Sequence, residues 1–180
     1  RKRGLQFSEL ANPHWFEANP RFAWGFYGHR LGLYRATIPH DGFKKCLELA
    51  MGRPMWVFTS NVDGQFQKAG FLPDRVVEVH GSIHHLQCRV PCHSTIWAAK
   101  GLEVSVDPEQ LLLTSEVPLC GQCGEAARPN ILMFGDGAFL GGRSDGQADR
   151  YQRWLGSMDL GDLVVIEMGA GTAVPTVRYH

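Results

Sequence analysis
The stretch VFTSNVDGQFQKAGFLPDRVVEVHGS, residues 57–82, decides the fold. It reads as strand, polar turn, short helix, strand and then a His-Gly corner. Residues 55–59 form an apolar, β-branched and aromatic run, the composition of a buried strand. The run ends in Ser60, Asn61, Val62, Asp63 and Gly64, which puts an amide and a carboxylate at the strand's carboxyl end. In open parallel sheets that edge is where ligands bind. A second run, residues 76–79, leads straight into His80 and Gly81. Two adjacent strands thus deliver Asn61, Asp63 and His80 to one edge of one sheet.

Upstream, residues 5–12 read as a short helix, with Ser8 a candidate cap and Asn12-Pro13 its terminator. Residues 14–18 form a further short turn. Asn19 and Pro20 open a longer helix to about residue 35, with proline in its favoured first turn. Phe22, Phe26 and Leu33 make a stripe that Trp24, Tyr27, Leu31 and Tyr34 widen, and such a stripe reads as core. Asp41 caps a helix over residues 42–50, and Gly52 ends it. Downstream, residues 65–69 form a short helix and residues 83–87 a strand. Within residues 88–123 periodicity weakens, and only residues 108–113 look helical. Residues 145–155 read as a polar helix. Residues 162–168 read as a strongly apolar strand, followed by Gly169, Ala170, Gly171 and Thr172.

At 180 residues the chain can bury about 70% of its unfolded surface, enough for a real core. A formal net charge of zero gives no general drive toward nucleic acid or membrane surfaces. No apolar run approaches the roughly 20 residues of a membrane span. The chain opens on Arg1-Lys2-Arg3 and mixed polar sequence rather than a signal-peptide pattern, so the expected compartment is cytoplasmic.

Five cysteines are present. Cys46 stands alone in a helix and reads as a small core residue. The others form two pairs, Cys88 with Cys92 and Cys120 with Cys123. Two thiolates from one tight turn can reach one ion, so two such turns suit tetrahedral Zn²⁺. The competing readings are two disulfides or four buried thiols, and disulfides are disfavoured without a secretory signal. Four thiolates would fill the coordination sphere, so the zinc is structural and folds the 88–123 segment. His93, next to Cys92, is a further candidate ligand.

Taken in order, these residues resemble a family. Thr59-Ser60-Asn61-Val62-Asp63-Gly64, Lys68-Ala69-Gly70, Glu78-Val79-His80-Gly81-Ser82, the two cysteine pairs, and Arg128-Pro129-Asn130-Ile131-Leu132-Met133-Phe134-Gly135-Asp136 follow one another along the chain. The combination is similar to that of the sirtuin (Sir2) family of NAD-dependent protein deacylases. The resemblance covers about residue 19 to the end. It implies an acyl-lysine protein or peptide as substrate, NAD as co-substrate and structural Zn²⁺; composition indicates no nucleic acid and no membrane as partner. His80 matches the catalytic histidine, a general base on a ribose hydroxyl of NAD. That hydroxyl acts after the acyl-lysine oxygen has displaced nicotinamide. Asn61, Asp63 and Ser60 match positions lining the ribose and nicotinamide pockets. Ile131, Leu132, Met133, Phe134 and Gly135 match the segment that pairs with the substrate peptide as an added strand. Gly169, Gly171 and Thr172 match, in one of two registers, a loop that meets the nucleotide through backbone N–H groups.

Three departures stand out. Ser60 replaces a glutamine, which shortens or removes one ribose contact. Asp136 replaces a glutamate, a mild change. The glycine-rich NAD loop and its strand are absent, so the expectation is a partial catalytic domain over residues 1–180, inactive alone, with a zinc-binding insert over residues 88–123. The expected fold class is α/β, a Rossmann-like parallel sheet with a small zinc-binding insert. Two rival functions stay open: NAD hydrolysis or ADP-ribosyl transfer on the same fold, and a catalytically inactive, zinc-stabilised binding module.

Overall fold
The computed structural model describes residue 4 and residues 6–179. Two short helices, α1 (Phe7–Leu10) and α2 (Trp15–Ala18), lead into the long α3 (Pro20–Ala36). The Asn19 side chain accepts from the Phe22 N–H at 3.1 Å, so the Asn-Pro start works as read. Helix α4 (Asp41–Ala50) is capped by His40 rather than Asp41: His40 Nδ1 accepts from the Gly42 N–H at 3.0 Å. Asp41 becomes the first helical residue, where its charge favours the helix N-terminus.

Strand β1 (Val57–Thr59), helix α5 (Gln65–Lys68) and strand β2 (Val76–Glu78) follow, and β1 pairs with β2 in parallel. This is the βαβ unit expected of residues 57–82. Beyond His80, strand β3 (Gly81–Cys88) lies between β4 (Trp97–Ala98) and β7 (Ala127–Ile131), antiparallel to both. Between β4 and β7, β5 (Val106–Asp107) and β6 (Leu112–Leu113) form a hairpin. Helix α6 (Gly142–Leu155) packs against β2. Among the described residues, no helix is long and apolar enough to cross a membrane.

The hairpin corrects the helix expected over residues 108–113. The Asp107 carboxylate accepts from the N–H groups of Glu109 and Gln110 at 2.7 and 2.9 Å, and Leu111 takes a left-handed φ of 52°. These side-chain bonds stabilise a turn in place of a helix. Leu113 then enters the core at 2% exposure. Residues 162–168 are also corrected. Leu160–Asp162 is a 3-10 turn, and residues 163–168 form no strand. Val164 and Val165 are 80% and 81% exposed. A parallel strand is stable only with a neighbouring ladder and covered faces, and no described strand pairs with this run.

The core gathers Trp24, Tyr27 and Leu31 of α3 with Ile83, Leu86, Leu113 and Ile131. Trp24 is fully buried and donates its indole N–H to the Ala127 carbonyl at 2.9 Å. A Cβ on Gly25 would lie 2.0 Å from the Leu111 carbonyl oxygen, so α3 and the hairpin turn meet backbone to backbone. Helix α3 therefore leans directly on the segment that follows the first cysteine pair.

Candidate active site and metal centre
A cavity of about 470 Å³ opens at the carboxyl ends of β1 and β2. Ser60, Asn61 and Asp63 enter it from the loop after β1, and His80 from the corner after β2. Ile131, Leu132, Met133 and Phe134 close a second side, and Phe26, Tyr27, Arg30 and Tyr34 of α3 a third. The structure thus brings together the residues expected from β1, β2 and β7. Gly135, Gly169, Gly171 and Thr172 do not line the cavity; Val174 and Thr176 do.

Each wall is held from behind. The His84 ring Nε2 lies 2.9 Å from the Asp63 carbonyl oxygen, and the Ile83 N–H donates to the Val62 carbonyl at 2.9 Å. Strand β3 therefore pins the loop after β1. The Asp63 carboxylate accepts from the Gln65 N–H at 3.0 Å, which starts α5. Ahead of His80, the buried Glu78 is clamped by α6. Its N–H donates to Gln147 Oε1 at 3.0 Å, its carbonyl accepts from Ser144 Oγ at 2.9 Å, and its carboxylate pairs with Arg143. Nothing in the polar pattern of α6 marks these three side chains as a clamp.

His80 is half-buried, and its carbonyl accepts from the Leu132 N–H at 2.9 Å. Its Nε2 lies 3.1 Å from Thr176 Oγ1. Burial holds the imidazole pKa below its ordinary 6.5. At neutral pH the ring is uncharged, the form that accepts a proton. The next residue, Gly81, has a φ of +79°, and a Cβ there would sit 2.0 Å from the Asn130 carbonyl oxygen. Gly81→Ala is expected to cost about 3 kcal/mol or more from backbone strain plus overlap. Urea denaturation midpoints of the two proteins check this.

The 131–136 turn is built around a buried ion pair. Arg128 grips Asp136 with both terminal nitrogens, and both side chains are almost fully excluded from solvent. Asp136 also accepts from the N–H groups of Met133 and Ala138. The shorter carboxylate meets its arginine without help. Behind the turn, Asn130 Nδ2 donates to Gln87 Oε1 at 2.9 Å and to the Leu140 carbonyl at 2.9 Å. Ile131 and Met133 face the core, whereas Leu132 and Phe134 are each 42% exposed. That alternation is what an extended partner strand would read.

Arg30 and Asp63 bring opposite charges to the cavity, from α3 and from the loop after β1. The Arg30 guanidinium carbon lies 5.5, 5.3 and 5.2 Å from the ring centroids of Phe7, Phe26 and Tyr34. Among the described residues it has no carboxylate partner within ion-pair distance.

The four paired cysteines converge away from this cavity. Their sulfurs all lie within 4.8 Å of one another, with Cys88 to Cys123 at 3.5 Å and Cys92 to Cys120 at 3.8 Å. Zinc–sulfur bonds of about 2.3 Å in a tetrahedron need sulfur–sulfur edges of about 3.8 Å. The set fits zinc. Backbone N–H groups of Gln122 and Cys123 beside Cys120 Sγ lower its thiol pKa and favour the thiolate, the form that binds metal. Gly124, at a φ of 74°, lets the chain turn back after Cys123. Cys46 remains a free, half-buried thiol on α4.

This geometry can be compared with known proteins. The Sir2 family pattern matches residues 3–144. The chain belongs to the Sir2 family. It is 38% identical over 130 residues to NAD-dependent protein deacylase 2 of Pyrobaculum aerophilum, covering 71% of this chain and 46% of that protein. It is 33% identical over 129 residues to the NAD-dependent protein deacylase of Thermococcus kodakarensis, covering 71% and 48%. Among solved structures, a Sir2 homologue in complex with NAD superposes with a TM-score of 0.63 at 25% identity, over 83% of this chain and 54% of the other. The chain spans about half the length of the relatives it matches. The α/β fold with a parallel strand pair and a cysteine cluster is thus the Sir2 fold.

Proposed function
We propose that this Sir2 chain forms part of an NAD-dependent protein-lysine deacylase. The observation that carries the reading is the shared cavity: His80, Ser60, Asn61 and Asp63 face it from the β1 and β2 ends, and residues 131–134 face it from the side. The relatives it matches over 71% of its length are named NAD-dependent protein deacylases.

In this reading the acyl-lysine oxygen attacks the anomeric carbon of NAD, and nicotinamide leaves. His80 then takes the proton of a ribose hydroxyl, which attacks the acyl carbon. Water completes the balance, giving free lysine, nicotinamide and O-acyl-ADP-ribose. The contact of His80 Nε2 with a hydroxyl, that of Thr176, supports this orientation of the ring. Asn61 and Asp63 supply the amide and carboxylate that hydrogen-bond a carboxamide and hydroxyls. Ser60 reaches less far than a glutamine would. Residues 131–135 receive the peptide as an added strand. The loop carrying Gly169, Gly171 and Thr172 precedes the cavity-lining Val174 and Thr176 and would offer the nucleotide its backbone N–H groups. The four cysteines hold a structural zinc, and residues 88–123 serve as the metal-bearing insert of a partial catalytic domain. A four-cysteine zinc centre suits a reducing compartment, and the cytoplasm is the compartment this reading assigns.

The test is peptide-dependent release of nicotinamide from NAD by the whole protein that contains this chain. Release that needs the acyl-peptide supports deacylation. Equal release without peptide favours NAD hydrolysis, and none from folded protein favours a binding module.

Two further outcomes are expected. His80 must be neutral to act, and burial favours the neutral form. The acid limb of kcat/KM should therefore fall below the ordinary 6.5, with activity lost as pH drops through the lowered value. A pH–rate profile measures it. Arg30 in the cavity wall favours acyl chains that end in a carboxylate. Arg30→Met should lower kcat/KM for such a peptide by about 10–100-fold, the value of a charge-assisted hydrogen bond. The loss for an acetyl-peptide should be smaller, and a matched pair of peptides measures the difference.

A further inference from the structure
The turn after Cys92 carries a histidine with both ring nitrogens engaged. The Thr95 N–H donates to His93 Nδ1 at 3.1 Å. A ring nitrogen that accepts an N–H is bare, so a neutral imidazole carries its proton on the other nitrogen. That nitrogen, Nε2, lies 3.3 Å from Cys120 Sγ. The contact is thus an N–H···S bond donated into the sulfur. The Trp97 ring flanks the imidazole at 6.0 Å between centroids, and Trp97 is itself registered against Leu86 of β3. The ring is therefore held from three sides.

We propose that His93 is a positioning residue of the metal centre: its Nε2–H holds the Cys120 sulfur in place and slows loss of zinc. The inference rests on the zinc reading above. Four thiolates on one Zn²⁺ carry an excess of negative charge, and each N–H donated into a sulfur offsets part of it. Cys120 receives such a bond from His93, and the backbone of Gln122 and Cys123 favours its thiolate as well. Outer-shell partners of this kind orient ligands and tune metal affinity.

His93 is not itself a ligand in this account. Ligation needs a bare Nε2, which would move the proton to Nδ1 and aim it at the Thr95 N–H. The four cysteines already supply the tetrahedral set.

The test compares the zinc-loaded chain with His93→Phe, which keeps a ring and removes the donor, and with His93→Gln, which restores an amide N–H. Zinc content is measured first. Its absence from the unsubstituted chain overturns the metal centre itself, a failure separate from that of His93. Zinc transfer to an excess of a chromogenic chelator is then followed. His93→Phe should release zinc about 10-fold faster or more, and His93→Gln should fall within about 3-fold of the parent. Equal rates for parent and His93→Phe overturn the proposal. Cobalt-substituted parent and His93→Phe should share one all-sulfur absorption spectrum. A nitrogen-ligated spectrum in the parent that His93→Phe abolishes also overturns it. If His93→Phe takes up no metal, His93→Gln decides: parent-like release supports a donor, and failure to load indicates a ligand.

Discussion

Chelation of zinc, or replacement of Cys120 by serine, is expected to unfold the segment from Cys88 to Ala127 and to loosen α3 with it. The strands there cannot stand alone. β4, β5 and β6 have two residues each, far below what an independent sheet needs. Structural zinc contributes on the order of 10–16 kcal/mol in peptide models, comparable to the whole stability of a domain. The loss should not stay local. Trp24 hydrogen-bonds the Ala127 carbonyl, Gly25 lies against the Leu111 backbone, and a Cβ on Gly28 would come within 3.1 Å of Val104 and Val106. Those contacts orient the helix that presents Tyr27 and Arg30 to the cavity. Chelator-treated protein should therefore lose near-ultraviolet dichroism and become open to proteolysis between residues 88 and 127. Unchanged dichroism and protection after complete zinc removal would contradict this.

Replacement of His80 by alanine is expected to reduce formation of the acylated ADP-ribose by about 10²–10⁴-fold, the usual contribution of a positioned base. The fold should survive. The backbone bond from Leu132 runs to the His80 carbonyl, which alanine retains. The Glu78 clamp by Arg143, Ser144 and Gln147 does not involve the ring. Peptide affinity should change little, because the 131–134 wall is untouched. The effect thus falls on kcat more than on KM, and steady-state kinetics with a folded variant measure the split. A variant with near-parental kcat would remove His80 from the chemistry.

What the sequence discloses follows from how local each signal is. The Asn19-Pro20 start of α3 is local chemistry, as is the glycine-eased Cys120–Cys123 turn, and both are legible. Residues 57–82 are legible because hydrophobic runs and polar corners alternate within one βαβ unit. The 106–113 hairpin is not, since Asp107 side-chain bonds outweigh the helical look of the residues that follow. The apolar run over residues 163–168 has strand composition, yet a strand exists only with neighbours, and composition carries no information about them. The clamp on Glu78 is long-range: Gln147 lies 69 residues away from its partner. His84 reads as strand surface, yet its ring meets the Asp63 carbonyl across 21 residues. The role of His93 needs a third partner, Thr95, to fix its proton.

The most direct measurement of the central claim is product analysis of the whole protein incubated with NAD and an acyl-lysine peptide. Equimolar nicotinamide, free lysine peptide and O-acyl-ADP-ribose, formed only when the acyl-peptide is present, is the predicted result. Nicotinamide and plain ADP-ribose formed at the same rate without the peptide would contradict it.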